Sequence, residues 1–200
     1  MASRIGVCNQ AISNLGSAKE IANFDTERSA EALACRRFYE EVVKETLRDF
    51  DWPLATKLEA LALVATNPND EWGYSYRYPS DCLKARRIPS GTRPESADSR
   101  IKFIVRADSA GGLIYSDQPT PDLEYTFRPD ESYWPADFAS AVSYLLSARI
   151  APRIIAGDPY GQQEKNLKLY HYQLTKAQKN AGNEGSPDDE PEAEIIRARE

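Results

Sequence analysis

Apolar residues recur at helical spacing in the first quarter of the chain. Between residues 3 and 15 the repeating positions are Ile5, Cys8, Ile12 and Leu15, and Gly16 follows as a C-terminal cap. A longer apolar stripe of i, i+4 pairs runs through DTERSAEALACRRFYEEVVKETLRDF, with Asp25 or Thr26 as the N-cap. Pro53 has no backbone N–H and ends this second segment. The pattern predicts two amphipathic helices.

The next eighty residues change from helical spacing to alternation. In IKFIVR and DLEYTFR apolar residues occupy every second position, and YSYRY repeats this rhythm with tyrosines. The turn residues of DSAGG fit a hairpin between IKFIVRA and LIYSD. The segment LATKLEALALVA fits either a helix or a strand, and its place among prolines favours the strand. This part of the chain is predicted to form sheets.

Helical spacing returns in WPADFASAVSYLLSARIAPRIIAGDP. Pro135 suits the first position of a third helix, and Pro152 should end or kink it. Asp158 and Pro159 then fit the cap and first position of a fourth helix. The apolar positions of that helix are Leu167, Tyr170, Leu174, Ala177 and Ala181.

The order of these elements predicts a mainly α protein with a β insertion. Residues 1–52 and 134–182 would form a four-helix bundle body, because neighbouring elements usually pack together. Residues 53–133 would form a strand-rich inserted subdomain, and residues 183–200 an extended, flexible acidic arm. No stretch has the apolar core of a signal peptide or the length of a membrane span, so no membrane anchor is expected.

The net charge of −6 is concentrated at the C-terminus. From Glu184 onward there are seven acidic and two basic side chains, so this segment carries −5 and the remainder about −1. A nearly neutral body lacks the positive charge that a nucleic-acid-binding protein uses to neutralise phosphates. Tight DNA binding is therefore not expected.

Few residues offer catalytic or metal chemistry. His171 is the only histidine, and the three cysteines are too far apart in sequence to form a recurrent zinc site with it. Cys82 would need a base to act as a nucleophile, and a packed thiol is the better interpretation. Carboxylate pairs of the glycosidase kind stay open, because sequence spacing cannot select one. We expect no catalytic residue, no metal and no cofactor.

The segment YSYRYPSDCLKARR combines tyrosine and arginine, which are enriched at protein interfaces. Sheet packing also explains the alternating tyrosines. Its candidate contact residues, toward another subunit or a partner, are Tyr76, Arg77, Tyr78, Lys84, Arg86 and Arg87.

Four stretches of the chain resemble tail tubular protein A, the head-to-tail adaptor of short-tailed bacteriophages. In order, they are VCNQAISNLGSAKEIANFD, RRFYEEVVKETLRDFDWPLAT, YRYPSDCLKARRI and WPADFASAVSYLLSARIAP. The most specific pieces are the helix ending in DFDWP, the YPSDCLK strand, and the DF that opens the third helix. The resemblance extends to about Ala181.

This resemblance implies a virion protein of the tail neck, made in the host cytoplasm. Twelve copies would form a ring between the portal and the tail nozzle. The nozzle protein would be similar to tubular protein B. Double-stranded DNA would pass through the lumen of the ring without specific binding. The C-terminal extension would reach onto the portal. Its docking residues would be Glu194, Ile195, Ile196, Arg197 and Arg199, where two apolar side chains are flanked by charges.

Two alternatives remain open at the level of sequence. The chain could be a weak glycan hydrolase that helps the tail cross the cell envelope, which requires a carboxylate pair with one raised pKa. It could also be an unrelated scaffolding or regulatory domain, which predicts a stable monomer.

Overall fold

The computed structural model describes residues 2–91, 100–158 and 160–184. The helices there are α1 (Arg4–Ser13), α2 (Ala30–Asp49), α3 (Ala136–Ile154) and α4 (Gln162–Gly182). The strands lie between α2 and α3, and they are β1 (Thr56–Ala60), β2 (Leu63–Thr66), β3 (Tyr74–Arg77), β4 (Lys84–Arg87), β5 (Phe103–Asp108), β6 (Gly111–Ser116) and β7 (Asp122–Thr126).

Helix α3 is the centre of the helical part, where it packs against α1, α2 and α4. It is buried around most of its circumference, and this explains why its sequence has little polar character. Ser147 is fully buried and donates a hydrogen bond to the carbonyl oxygen of Ala11 in α1 at 2.9 Å. The side chains around α3 form one hydrophobic core, which we call the helical core.

The strands form two antiparallel sheets. Sheet A has the order β1-β7-β4, and sheet B has the order β2-β3-β6-β5. Their facing side chains build a second core, the sheet core, which includes Tyr76 and Ile114 from sheet B and Leu123 and Tyr125 from sheet A. Because these four side chains are at most 1% exposed, the strand-rich part has a hydrophobic interior of its own.

The predicted fold class is therefore wrong. The protein is a mixed α and β fold with two antiparallel sheets, not a mainly α four-helix bundle body with a β insertion. The helices do not form a bundle of equal partners, since the backbone of α3 lies close to all the others, while α1 and α2 meet mainly through side chains such as Arg4 and Tyr39. The prediction failed because it treated the strands as an insertion into a helical body, whereas the two sheets bury apolar side chains in a core of their own.

The local predictions fared better, with shifts at the ends of elements. The ambiguous segment forms β1 and β2, so the choice of strand is confirmed. The hairpin predicted at DSAGG joins β5 to β6. Helix α2 begins later than expected, because Ser29 accepts a hydrogen bond from the Ala32 N–H in place of Asp25 or Thr26. Pro152 lies within the last turn of α3, where the helix ends.

Candidate functional site

The most specific stretches of the resemblance meet at one place, where α2 ends against α3 and β4. We call this place the junction and define it by Asp51, Trp52, Leu83, Arg86 and Phe138. Trp52 is 1% exposed, and its ring lies edge-on to Phe138, with the ring centroids 4.9 Å apart. These aromatic rings come from the DFDWP and WPADF stretches, so the two are in direct contact.

Arg86 fastens sheet A to this aromatic contact. Its Nε donates to Thr126 Oγ1 at 2.9 Å, and its Nη2 donates to the carbonyl oxygen of Trp52 at 3.0 Å. The side chain is only 5% exposed, and this burial lowers the pKa of Arg86. A buried guanidinium with several fixed partners holds the strands in one orientation on the helices.

Two further contacts cross the junction beside Arg86. Lys84 Nζ donates to Asp51 at 2.8 Å, and Arg48 of α2 donates to the carbonyl oxygen of Leu83 at 2.8 Å. Leu83, from the YPSDCLK stretch, packs against the helical core. The third stretch thus joins the other two, and the junction connects the helical core with sheet A.

The remaining predicted contact residues occupy different surroundings. Tyr76 lies in the sheet core, where its hydroxyl donates to the carbonyl oxygen of Gln118 at 2.6 Å. Tyr78 packs over Gly112, and burial raises its pKa to about 12. Arg77 forms a two-pronged ion pair with Asp108 at 2.9 and 3.2 Å.

Arg87 lies at the surface and donates to Glu124 at 3.0 and 2.8 Å. The six predicted residues therefore do not form one patch: Tyr76 and Arg86 are internal, whereas Arg77, Lys84 and Arg87 reach solvent. Contact with a neighbouring subunit or a nozzle stays a prediction for them. The predicted docking residues, Glu194, Ile195, Ile196, Arg197 and Arg199, lie outside the described residues.

Glu59 and Asp81 form a close pair of carboxylates on sheet A and the turn that precedes β4. Both approach the hydroxyl of Tyr125, at 2.9 and 2.8 Å, and both pair with Lys57. Hydrogen bonds from Lys57 and Tyr125 lower the pKa of Glu59. Partial burial acts to raise the pKa of Asp81, but the same hydrogen bonds outweigh it and lower that pKa too. A general acid needs the opposite shift, so this pair does not favour glycan hydrolysis.

Neither of the other residues weighed for catalysis has an activating environment. Cys82 is half-buried, and burial raises the pKa of its thiol, which disfavours the nucleophilic thiolate. His171 is exposed on α4 beside Tyr170, with a ring separation of 5.3 Å. Within the ranges that the structure describes, no cluster of three or more His, Cys, Asp or Glu side chains could hold a metal ion.

Sequence reasoning missed the exposed apolar side chains along the outer strands of sheet B. Leu63 and Val64 of β2 are 56% and 45% exposed, and Val105 of β5 is 49% exposed. Alternation predicted the strand at β5, and the place among prolines favoured one at β2, but neither signal could show which strands lie at an edge of a sheet.

No protein-family model and no curated protein sequence matches this chain. Among the helices of the described residues, none has both the length and the apolar character needed to cross a bilayer.

Proposed function

We propose that this chain is a structural head-to-tail adaptor of a short-tailed phage. In this role copies of the protein form a ring, of twelve subunits, between the portal and the tail nozzle, and double-stranded DNA passes through the lumen. Its place is the neck of the virion tail, and it acts without a cofactor.

The observation that supports this proposal is the junction. The DFDWP, YPSDCLK and WPADF stretches are separated by up to eighty residues in sequence, yet Trp52, Leu83 and Phe138 all pack in the helical core. The pieces that carry the resemblance thus belong to one structural unit, as a shared fold requires. Their convergence supports the view that the resemblance reflects a shared structural unit.

The charge distribution supports passage of DNA without tight binding. Several basic side chains near the surface are neutralised within the chain, and these pairs are Arg77–Asp108, Lys84–Asp51, Arg87–Glu124 and Arg149–Glu45. A paired guanidinium is less available to a phosphate, and each phosphate that a protein neutralises adds affinity. A conduit that does not hold DNA needs this property.

A deletion of the gene from the phage genome tests the proposal in the virion. Loss of an adaptor should leave heads that package DNA but carry no tail, since the nozzle has no ring to attach to. Electron microscopy of the lysate distinguishes such heads from complete particles, and supply of the wild-type gene in trans is the control. Complete, tailed particles without the protein would contradict the proposal.

A further inference from the structure

The two outer strands of sheet B have properties that fit each other. Strand β2 (Leu63–Thr66) contains no charged residue, whereas β5 carries Val105 exposed in its middle, followed by the charged residues Arg106 and Asp108. Exposed, uncharged edges invite pairing with another strand, and natural proteins usually protect them with charge or a covering segment. Among the described residues, no strand of either sheet pairs with the outer side of β2 or β5, and each of these edges exposes an apolar side chain.

These side chains belong to one row that crosses the whole sheet. Leu63 pairs with Tyr76, Tyr76 with Ile114, and Ile114 with Val105. The two middle members are at most 1% exposed, whereas the outer members are 56% and 49% exposed. Directly paired residues share a face of a sheet. The row therefore continues the inner face of sheet B to both edges, where Leu63 and Val105 are exposed.

The directions of the strands also match. Every neighbouring pair in sheet B is antiparallel, so β2 and β5 run in opposite directions. If a second copy extends the sheet without being turned over, its β2 lies antiparallel to β5 of the first copy. Antiparallel pairing forms well-aligned hydrogen bonds.

Charge complements this arrangement at one end of the two strands. Arg100 and Lys102 are exposed just before β5, and Asp70 and Glu71 are exposed just after β2. In an antiparallel pair the start of one strand lies beside the end of the other. When Val105 is aligned with Leu63 of a second copy, Arg100 comes beside the Pro68 position of that copy, two residues from its Asp70.

We propose that β5 of one copy pairs with β2 of the next copy, so that sheet B continues from subunit to subunit. The two edges are different surfaces, so the contact is head-to-tail and generates a ring when the rotation closes. This inference rests on the ring of the proposed function and identifies the surface that builds it. The partner is a second copy of this chain, since one molecule carries both complementary edges.

Disulfide trapping tests the pairing. The full-length Leu63→Cys/Val105→Cys variant should form intermolecular disulfides in the assembled protein, since side chains paired across antiparallel strands are close enough for the bond. After oxidation with diamide, a non-reducing gel should show a ladder of multimers. Each single variant and the wild type should run as monomers on this gel. The same is expected of Leu63→Cys/Leu167→Cys, in which the second cysteine lies at an exposed position of α4 and not in β5.

A charge swap provides a second, independent readout. Arg100→Glu should weaken self-association about fivefold by sedimentation, and addition of Asp70→Arg should restore it. A full loss that Asp70→Arg does not restore would overturn the proposed register. Circular dichroism of each variant confirms that the fold is retained.

The outcomes separate this inference from the proposed function when the same samples are mixed with portal. If the protein gives a ladder of disulfide-linked multimers but does not bind portal, the edge pairing is supported and the adaptor role is contradicted. Portal-bound rings that give no ladder overturn the edge pairing and leave the adaptor role standing. Trapping of the nozzle protein at Leu63→Cys also overturns it, because the edge would then serve another partner.

Discussion

At the scale of single residues, buried charge fixes the connection between the two cores. Arg86 links sheet A to Trp52, and its side chain is 5% exposed. Without the guanidinium, the carbonyl oxygen of Trp52 and the hydroxyl of Thr126 lose a donor inside the protein. Unpaired buried polar groups cost much more than a lost surface contact.

We predict that Arg86→Ala lowers the free energy of unfolding by about 2 kcal/mol, because it leaves the buried hydroxyl of Thr126 without its donor and removes one of three donors to the carbonyl oxygen of Trp52. Arg77→Ala is the matched control: it removes an arginine from β3 of the other sheet, where its ion pair is partly exposed, and it should cost less than about 1 kcal/mol. Urea unfolding at neutral pH measures both. Equal effects would show that Arg86 does not have the structural role described here.

A second residue-scale prediction concerns pH and Glu131, which is 7% exposed beside α3. Its carboxylate pairs with Arg128 at 2.7 Å and accepts a hydrogen bond from the Tyr39 hydroxyl at 3.1 Å. Burial acts to raise the pKa of Glu131, but the hydrogen bonds from Arg128, the backbone and Tyr39, with the charge of Arg128, together outweigh it, and the pKa lies below its ordinary value of 4.5. The carboxylate therefore stabilises the fold above about pH 4.5, and this stabilisation is lost as the pH falls through the lower, folded-state pKa.

Glu131→Gln should consequently cost about 2 kcal/mol at pH 7, and the difference from the wild type should shrink as the pH falls below about 4.5. Urea unfolding across this range gives both curves. A difference that stays constant with pH would mean that the ionised carboxylate does not provide the stabilisation.

At the scale of elements, the start of α4 depends on a side chain outside the helix. Asp158 adopts a left-handed backbone conformation with φ of 61°, and its carboxylate accepts hydrogen bonds from the backbone N–H groups of Gln162 and Gln163, both at 2.7 Å. These N–H groups have no partner within the helix. The carboxylate also has a favourable charge for a helix N-terminus.

Asp158→Ala should therefore lower the free energy of unfolding by about 1 kcal/mol and speed hydrogen exchange in the first turn of α4. Asp158→Asn is the control, because asparagine tolerates the left-handed conformation and keeps one acceptor. Similar losses in the two variants would indicate that the charge, not the hydrogen bonds, stabilises this turn.

The elements could be predicted where the signal is local. Helical spacing and alternation located the four helices and most strands, because each depends on residues close in sequence. Strand β4 does not follow this rule, since its sequence KARR has no alternating apolar face. It forms a strand by pairing with β7, which lies much later in the sequence. The pairing order of both sheets, and hence the second core, depends on contacts that no local pattern records.

The burial of α4 shows the same limit within one helix. The predicted apolar stripe included Leu167, but this side chain is 40% exposed and Asn166 is buried instead. The Asn166 side-chain amide donates to the carbonyl oxygen of Gln162 at 2.8 Å, which partly offsets the cost of its burial. The packing of α4 against α3 decides which face of α4 is buried. The spacing of apolar residues therefore predicted the helix, but not its rotation about its own axis.

The candidate site was predicted less well than the elements. Tyrosine and arginine in YSYRYPSDCLKARR indicated an interface, yet Tyr76 and Arg86 lie inside the protein and the exposed apolar edges lie elsewhere. Both residue types serve interiors and interfaces equally, since each combines a large apolar body with a hydrogen-bonding end. Composition alone cannot separate these uses.

At the scale of the whole molecule, the C-terminal segment is predicted to attach the body to the portal. The last described residue, Glu184, follows the end of α4 beside Trp52 and Pro53. Deletion of residues 185–200 should leave urea unfolding of the body unchanged but weaken portal binding about tenfold or more, because many weak contacts act together around one ring. Ile195→Asp/Ile196→Asp should have nearly the same effect. Undiminished portal binding by the truncated chain would contradict this role.

In the proposed role, this protein forms a ring on the portal. Electron microscopy of the full-length protein mixed with the portal ring of the same phage tests it most directly. We expect an added ring of density below the portal, with twelve subunits on the portal axis and an open central channel. A mixture in which portal rings stay bare, and the protein sediments apart from them at micromolar concentration, would contradict it.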